Sequence, residues 1–372
     1  MVRLDKSLPK KIAVFRALQL GDLLCAVPAF RALRMALPNS KITLIGLPWA
    51  KSFVDRFPNY FDDFLEFPGY PGLPDIVPQV KKIPAFFKTA QERRFDLAIQ
   101  MHGSGIFANP ITVMLGANIN AGFFLYREYC PDIDRFMPYP ASEHEIWRYL
   151  RLIEFLGIPL QGDHLEFPLF QEDERDFSSL DKITHLQAHE YICIHPGARL
   201  PSRRWLIERF ARVADALATS GLKIVLTGSA DEIQLNETVG ANMKAPFINL
   251  AGQTNLGTLA ILLKKARLLI CNDTGVSHIA AALRVPSIVI VAGSDPSRWA
   301  PLDYQRHRIV YHHIDCRPCF FSTCPVEYPC ANGVSAETVI SQAKKLLQQN
   351  LHVKKEGVLN APVTDINLAC TR

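Results

Sequence analysis

Short runs of almost wholly apolar residues, rich in Val, Ile and Leu, alternate along this chain with stretches whose apolar positions recur at helical spacing. That alternation predicts parallel α/β layers, because a strand covered on both faces has no polar side to show. In the first half KIAVFRA (11–17) reads as a strand, LQLGD as the turn after it, and LLCAVPAFRALRMAL as a helix. KITLIG (41–46) and FDLAIQM (95–101) read as later strands. Residues 57–84, crowded with proline, glycine and aromatics, read as a long surface loop with at most one short strand in it. The polar, irregular stretch 157–190 reads as a linker. Past it the rhythm restarts with strands at 191–195, 223–228, 247–250, 268–271 and 287–293 and helices over 203–220, 256–266 and 275–284. The expected fold is two doubly wound α/β domains facing each other across a cleft.

Length and composition agree with two domains of ordinary size. The chain has 372 residues, 48% hydrophobic and 21% charged, which is a soluble globular balance. Its net charge of +5 is too small to argue for nucleic acid, and it suits an anionic ligand or membrane surface. No apolar stretch precedes the first strand, and no run is long enough to cross a bilayer. A cytoplasmic protein without a signal peptide is therefore expected. Of the nine cysteines, Cys316, Cys319, Cys324 and Cys330 cluster as C-x2-C-x4-C-x5-C. That spacing is compatible with a structural metal, with disulfides or with free thiols.

Polar residues gather where strands hand over to helices. CNDTGVSH (271–278) places Asp273, Thr274, Gly275 and His278 at such a point. A helix N-terminus there offers free N–H groups and a positive dipole end to a phosphate, and Gly275 lets the ligand approach the backbone. The alternative is that Asn272, Asp273 and Thr274 simply cap the helix. HPGARLPSRRW (195–205) adds Arg199, Arg203 and Arg204, planar donors suited to phosphate oxygens. TGSADE (227–232) ends a strand with Glu232, placed as ribose-binding acids often are. Together the three turns describe a nucleotide-diphosphate pocket. In the other half Gly21 and Asp22 stand at the first strand's end, where the helix dipole should keep Asp22 ionised as a proton acceptor. His102 and Ser104 in MHGSG end another strand and suit a polar acceptor. The P-loop, nucleophile-elbow and H-E-x-x-H patterns are all missing from the sequence.

These residues resemble a known family. NDTGVSHIAAALRVPSIVIVAGSDPSRWAP is similar to the C-terminal signature of the ADP-heptose:lipopolysaccharide heptosyltransferases, glycosyltransferase family 9. LGDLLCAVPAFRALR resembles the N-terminal signature and HPGARLPSRRW the middle one. The resemblance implies a glycosyltransferase B fold of two facing Rossmann-like domains. The acceptor would bind in residues 1–160 and the nucleotide-sugar in 161–350, with 351–372 a tail. It implies inverting, metal-independent transfer, with Asp22 as general base. Arg203, Glu232, Asp273, Thr274, Gly275 and His278 would hold the donor, with Gly21 of the LGD motif beside them, while His102 and Ser104 are acceptor candidates from their strand-end position alone. Arg203 stands where the family usually carries a lysine, and Ala198 and Arg199 replace hydroxyl residues of some members.

The expected activity is thus heptosyl transfer from ADP-heptose to a lipid-linked, lipopolysaccharide-core-type saccharide at the cytoplasmic face of the inner membrane. No cofactor is expected beyond the nucleotide-sugar co-substrate. The alternatives are another nucleotide-sugar with another acceptor, or a non-catalytic saccharide-binding protein on the same fold.

Overall fold

The computed structural model of the chain describes residues 9–359. The first sheet holds β1 (Lys11–Phe15), β2 (Lys41–Gly46), β3 (Asp63–Glu66), β4 (Leu97–Gln100), β5 (Ile119–Phe124) and β6 (Phe136–Pro138). Its helices are α1 (Leu20–Ala36), α2 (Ala50–Arg56), α3 (Ile83–Glu92), α4 (Ala108–Met114) and α5 (Glu145–Phe155). After α6 (Gln171–Ser178) the second sheet holds β7 (Tyr191–His195), β8 (Lys223–Leu226), β9 (Phe247–Asn249), β10 (Leu268–Asn272), β11 (Ser287–Val291) and β12 (His307–Tyr311). Its helices are α7 (Ile207–Ala218), α8 (Ile233–Ala241), α9 (Leu256–Lys265), α10 (Gly275–Ala282), α11 (Pro296–Trp299), α12 (Pro329–Asn332) and α13 (Ala336–Leu359).

Every strand pairing is parallel. The strand orders are β3-β2-β1-β4-β5-β6 and β12-β11-β10-β7-β8-β9. Each is the doubly wound order, in which the connections leave the centre in opposite directions. That leaves a crevice beyond the carboxyl ends of β1 and β4 in one sheet, and of β7 and β10 in the other. β7, β10 and β11 are buried at every position, which is why they read as unbroken apolar runs. α1 packs against α5 on one side and α10 on the other, so it is apolar nearly all round. One apolar cluster consequently runs from β1 and β2 through α1, α10 and α9 to β7 and β10.

The structure differs from the expected elements in four places. The helix expected over 203–220 begins only at Ile207, because Arg204 is extended and the Trp205 N–H is tied to Asn272 Oδ1 at 2.9 Å. The expected linker contains α6, pinned where Arg56 grips Asp173 with two bonds of 2.7 and 2.9 Å. In the loop 57–84, Phe61 and Phe67 are core residues, packed on Phe30 and Phe15. α13 runs through the boundary expected at residue 350 to Leu359, and the rest of the tail lies outside the described residues. Among the described residues no helix is long and apolar enough to cross a membrane.

Candidate active site

The two crevices face each other across a hollow of about 250 Å³. The first half contributes Leu18, Gln19, Gly21 and Asp22 from the turn after β1, and Asp75 from the loop after β3. The second half contributes Ala198 to Leu200 and Arg203 from the turn after β7, then Asp273, Thr274, Gly275 and His278 after β10, and Trp299 of α11. Eight of the residues singled out from the sequence meet here: Gly21, Asp22, Arg199, Arg203, Asp273, Thr274, Gly275 and His278.

The helix α10 starts without a side-chain cap. Thr274 occupies the cap position and makes no capping bond, so its hydroxyl is free beside the helix start. Asn272 is wholly buried and turned away, donating to the carbonyls of Pro196 and Gly197 at 2.7 and 3.3 Å. Asp273 accepts from the Ser294 hydroxyl, which holds a carboxylate that would repel phosphate in a fixed orientation. The plain-cap reading therefore fails for all three residues, and the positive end of the helix faces the hollow. Beside it Arg203 Nε is buried with no hydrogen-bond partner among the described residues. A buried donor left unpaired costs about 1–3 kcal/mol, which a phosphate oxygen would recover.

Both glycines serve close packing as well. A Cβ on Gly21 would lie 3.0 Å from His278 Cδ2, and one on Gly275 would lie 3.2 Å from Leu20 Cδ2. The space expected beside Gly275 for a ligand is thus partly taken by Leu20, because the starts of α1 and α10 abut. His278 is buried, with Nδ1 at 3.6 Å from Cys25 Sγ, and burial holds its imidazole neutral by lowering its pKa.

Asp22 is 22% exposed, and its Oδ2 accepts from the Gln19 N–H at 3.3 Å. Its pKa is raised to about 6, against the expectation from the helix dipole. Burial is the largest cause, opposed by Arg16 and reinforced by Glu145 and Asp75. Above that pH it is an ionised carboxylate with an unusually high proton affinity, as a base in the cleft requires.

The remaining expected residues stand back from the hollow. Glu232 accepts from the Ser229 N–H at 2.9 Å and lies 3.7 Å from His195 Nε2. It presses on Gly197, where a Cβ would overlap its carboxylate. His102 is stacked on Phe15 and takes the Ala17 N–H on Nδ1 at 3.2 Å, so its proton sits on Nε2 facing Asp75, 3.9 Å away. Burial lowers its pKa to about 3. Ser104 lies half-buried in the turn after β4 and does not line the hollow.

Three participants escaped the sequence reading. Asp75 sits in a proline-rich loop with no strand-end signal, yet it meets Arg199 of the other half at 3.3 Å. Trp299 lies edge-on to His278. Arg16, wholly buried, donates to the Asp22 carbonyl from Nε and Nη2 at 3.0 and 2.6 Å. Its signal was visible, a lone cation at the end of an apolar strand.

The four clustered cysteines surround a second small hollow with Ser202 and Gly293. All four are free thiols, and Cys324 Sγ accepts from the N–H groups of Val326 and Tyr328 at 3.4 and 3.2 Å. Among the described residues no three His, Cys, Asp or Glu side chains are placed to hold a metal ion.

Comparisons with known proteins bear on the family and the fold. Residues 83–328 match the sequence model of a family described as glycosyltransferase family 9 (heptosyltransferase). The chain is 23% identical over 357 residues to the lipopolysaccharide core heptosyltransferase OpsX of Haemophilus influenzae, covering 91% of this chain and 97% of that protein. It is 26% identical over 321 residues to lipopolysaccharide heptosyltransferase 2 of Escherichia coli, covering 82% and 90%. Among solved structures, a glycosyl transferase family 9 protein from Veillonella parvula superposes with a TM-score of 0.73 at 23% identity, covering 91% and 97% of the two chains. The E. coli ADP-heptose LPS heptosyltransferase II superposes at 0.70 with 20% identity, covering 91% and 99%.

Proposed function

The chain belongs to glycosyltransferase family 9 (heptosyltransferase), and from that premise we propose that this glycosyltransferase moves heptose from ADP-heptose, with inversion and without a metal, onto a lipid-linked lipopolysaccharide-core-type saccharide. One observation carries the reading. Asp22 of the first half faces the uncapped start of α10 and Arg203 of the second, whose buried Nε has no partner among the described residues, across a single hollow. A proton acceptor and an anion-binding end, held on opposite walls, are what displacement of a diphosphate by a sugar hydroxyl needs.

In this reading the donor diphosphate lies over Thr274 and Gly275 with Arg203 on its oxygens, and His278 and Gly21 close the floor. Glu232 reaches the ribose through the glycine turn at 197. Asp22 takes the acceptor proton as the hydroxyl oxygen bonds to the anomeric carbon from the side opposite the leaving group. The bond from that carbon to the diphosphate oxygen breaks, and its electrons pass to the diphosphate. Charge there is met by the helix end and Arg203, the work a metal does in other transferases. On the acceptor side Asp75 lines the hollow, with His102 behind it at 3.9 Å and Ser104 in the neighbouring turn, so these two would act on the acceptor only from behind that wall. The names of the relatives support the donor and acceptor classes. Peripheral contact with the cytoplasmic face of the inner membrane belongs to the same reading, since the acceptor would be anchored there.

The test is transfer from ADP-heptose to a lipopolysaccharide-core acceptor, followed by mass and by the anomeric configuration of the product. The expected result is one added heptose of inverted configuration, undiminished by EDTA. Strict dependence on added Mg²⁺, retention of configuration, or transfer only from another nucleotide-sugar would overturn the corresponding part.

A further inference from the structure

Behind Asp22 lies a buried set of charges to which both halves of the molecule contribute. Glu145, the first residue of α5, is 1% exposed, and three arginines converge on it. Arg16 Nη2 approaches its Oε1 at 3.4 Å, where the Tyr149 hydroxyl also donates at 3.0 Å. Its Oε2 accepts from Arg148, which comes from its own helix, and from Arg298 Nε at 2.9 Å. Arg298 belongs to α11 of the second half, and its guanidinium stacks on Trp299, a wall of the hollow. Next to it His144 receives the Ile146 N–H on Nδ1, so its Nε2–H donates to the Ala300 carbonyl at 2.7 Å.

Arg16 is the link to the cleft. Its Nη1 donates to the Met101 carbonyl at 2.6 Å, and its plane lies 4.1 Å over the Tyr149 ring. Nη2 is shared between the Asp22 carbonyl, the Asp22 carboxylate at 3.9 Å and Glu145. How far that guanidinium leans towards Asp22 depends on how much negative charge Glu145 has left to offer it. Arg298 takes up part of that charge from the second half, beside Arg148 from α5 itself.

We propose that Arg298 is a positioning residue that satisfies Glu145 from across the cleft and so leaves Arg16 to hold the Asp22 carboxylate, readying the base when the two halves are closed together. The inference rests on Asp22 being the base. Removing Arg298 leaves Glu145 to draw Arg16 away, so Asp22 becomes harder to ionise. Removing the Glu145 charge acts the other way. The other groups facing Asp22 are Asp75 from the loop after β3, and Arg199, Arg203, Asp273 and His278 from the second half. Neither substitution alters them.

The experiment is kcat/KM for the acceptor at saturating donor, measured from about pH 5 to about pH 9 for the wild type, R298Q, R298K and E145Q. R298Q should move the acid limb up by roughly half a unit to one unit, with R298K recovering most of the shift through its own charge. E145Q should move it down. R298Q alone decides if E145Q does not fold, because Arg298 is partly exposed at the surface. An acid limb unmoved in R298Q at an unchanged melting temperature overturns the proposal, as does an equal loss at every pH. D22N separates the two readings. If D22N abolishes transfer while R298Q leaves the limb in place, only this inference fails. If D22N keeps both transfer and the limb, the base assignment fails and takes the inference with it.

Discussion

Asp22 uses its two oxygens differently: Oδ2 closes the first turn of α1 on the Gln19 N–H, while Oδ1 looks towards Arg16. A residue that only capped the helix would not need a carboxyl raised to about 6, and this predicts an unusual pairing of effects in Asp22→Asn. The amide keeps an oxygen for the cap but cannot accept the acceptor's proton, so kcat should fall by about 10²-fold or more with donor affinity within a few-fold. Stability should move the other way. The folded value lies above the ordinary 3.8, so ionising Asp22 costs the folded state. That cost is absent below the ordinary value and complete above about 6, at most about 3 kcal/mol at neutral pH. The melting temperature of D22N relative to wild type should therefore rise between pH 4 and pH 7. A structural aspartate would give the opposite, a loss of melting temperature with activity to match.

At the scale of elements, the strands and their polar turns were legible because a doubly wound sheet writes both on the sequence. Buried parallel strands are unbroken apolar runs, and the crevice collects Gly, Thr, Asp and Arg at their carboxyl ends. β6 has too few positions to stand out and β5 and β12 mix polar with apolar ones, while α6 is polar nearly throughout and is held by Arg56 and by packing on α9. What joins the turns was not legible either, since the partners are distant in sequence. Asn272 read as one of several candidate caps or ligand groups, yet it is the pin between two turns. It takes the Trp205 N–H on Oδ1 and gives Nδ2 to the carbonyls of Pro196 and Gly197. Asn272→Ala would leave these backbone groups buried and unpaired, a loss of about 1–3 kcal/mol in urea unfolding. The turn that carries Arg199 and Arg203 would then slacken, and KM for the donor should rise more than KM for the acceptor. Unchanged stability would mean that the two turns are held by other contacts.

The whole molecule is uneven in where it leaves apolar side chains in water. The loops after β3, β4 and β5 crowd the carboxyl edge of the first sheet, the same edge that carries Asp22 and Asp75. They hold Val77, Val80, Ile106, Phe107, Leu125, Tyr126, Tyr129 and Ile133, half of the large apolar side chains exposed among the described residues. The loops are tied together, with Phe107 packed over Gly72 and Asn109 Nδ2 bonded to the Tyr129 carbonyl. Such a patch beside the acceptor wall suits the interfacial layer of a bilayer, where Tyr and aliphatic side chains lie together. Charge contributes little, because Lys81, Lys82, Arg127 and Arg135 are matched by Asp75, Glu128, Asp132 and Asp134. Binding to vesicles should then vary only weakly with anionic lipid and salt, and the pair Lys81 and Lys82 should matter less than the apolar tips. Within this patch Val77, Tyr126 and Ile133 are the most exposed, at 84, 76 and 70%. Replacing all three with Ser removes roughly 1 kcal/mol of insertion each, a drop of about 10²-fold in vesicle binding. KM for a lipid-linked acceptor should rise with it, while turnover of a saccharide acceptor freed of its lipid stays level. If the triple variant sediments with vesicles as the wild type does, the patch meets something other than the membrane.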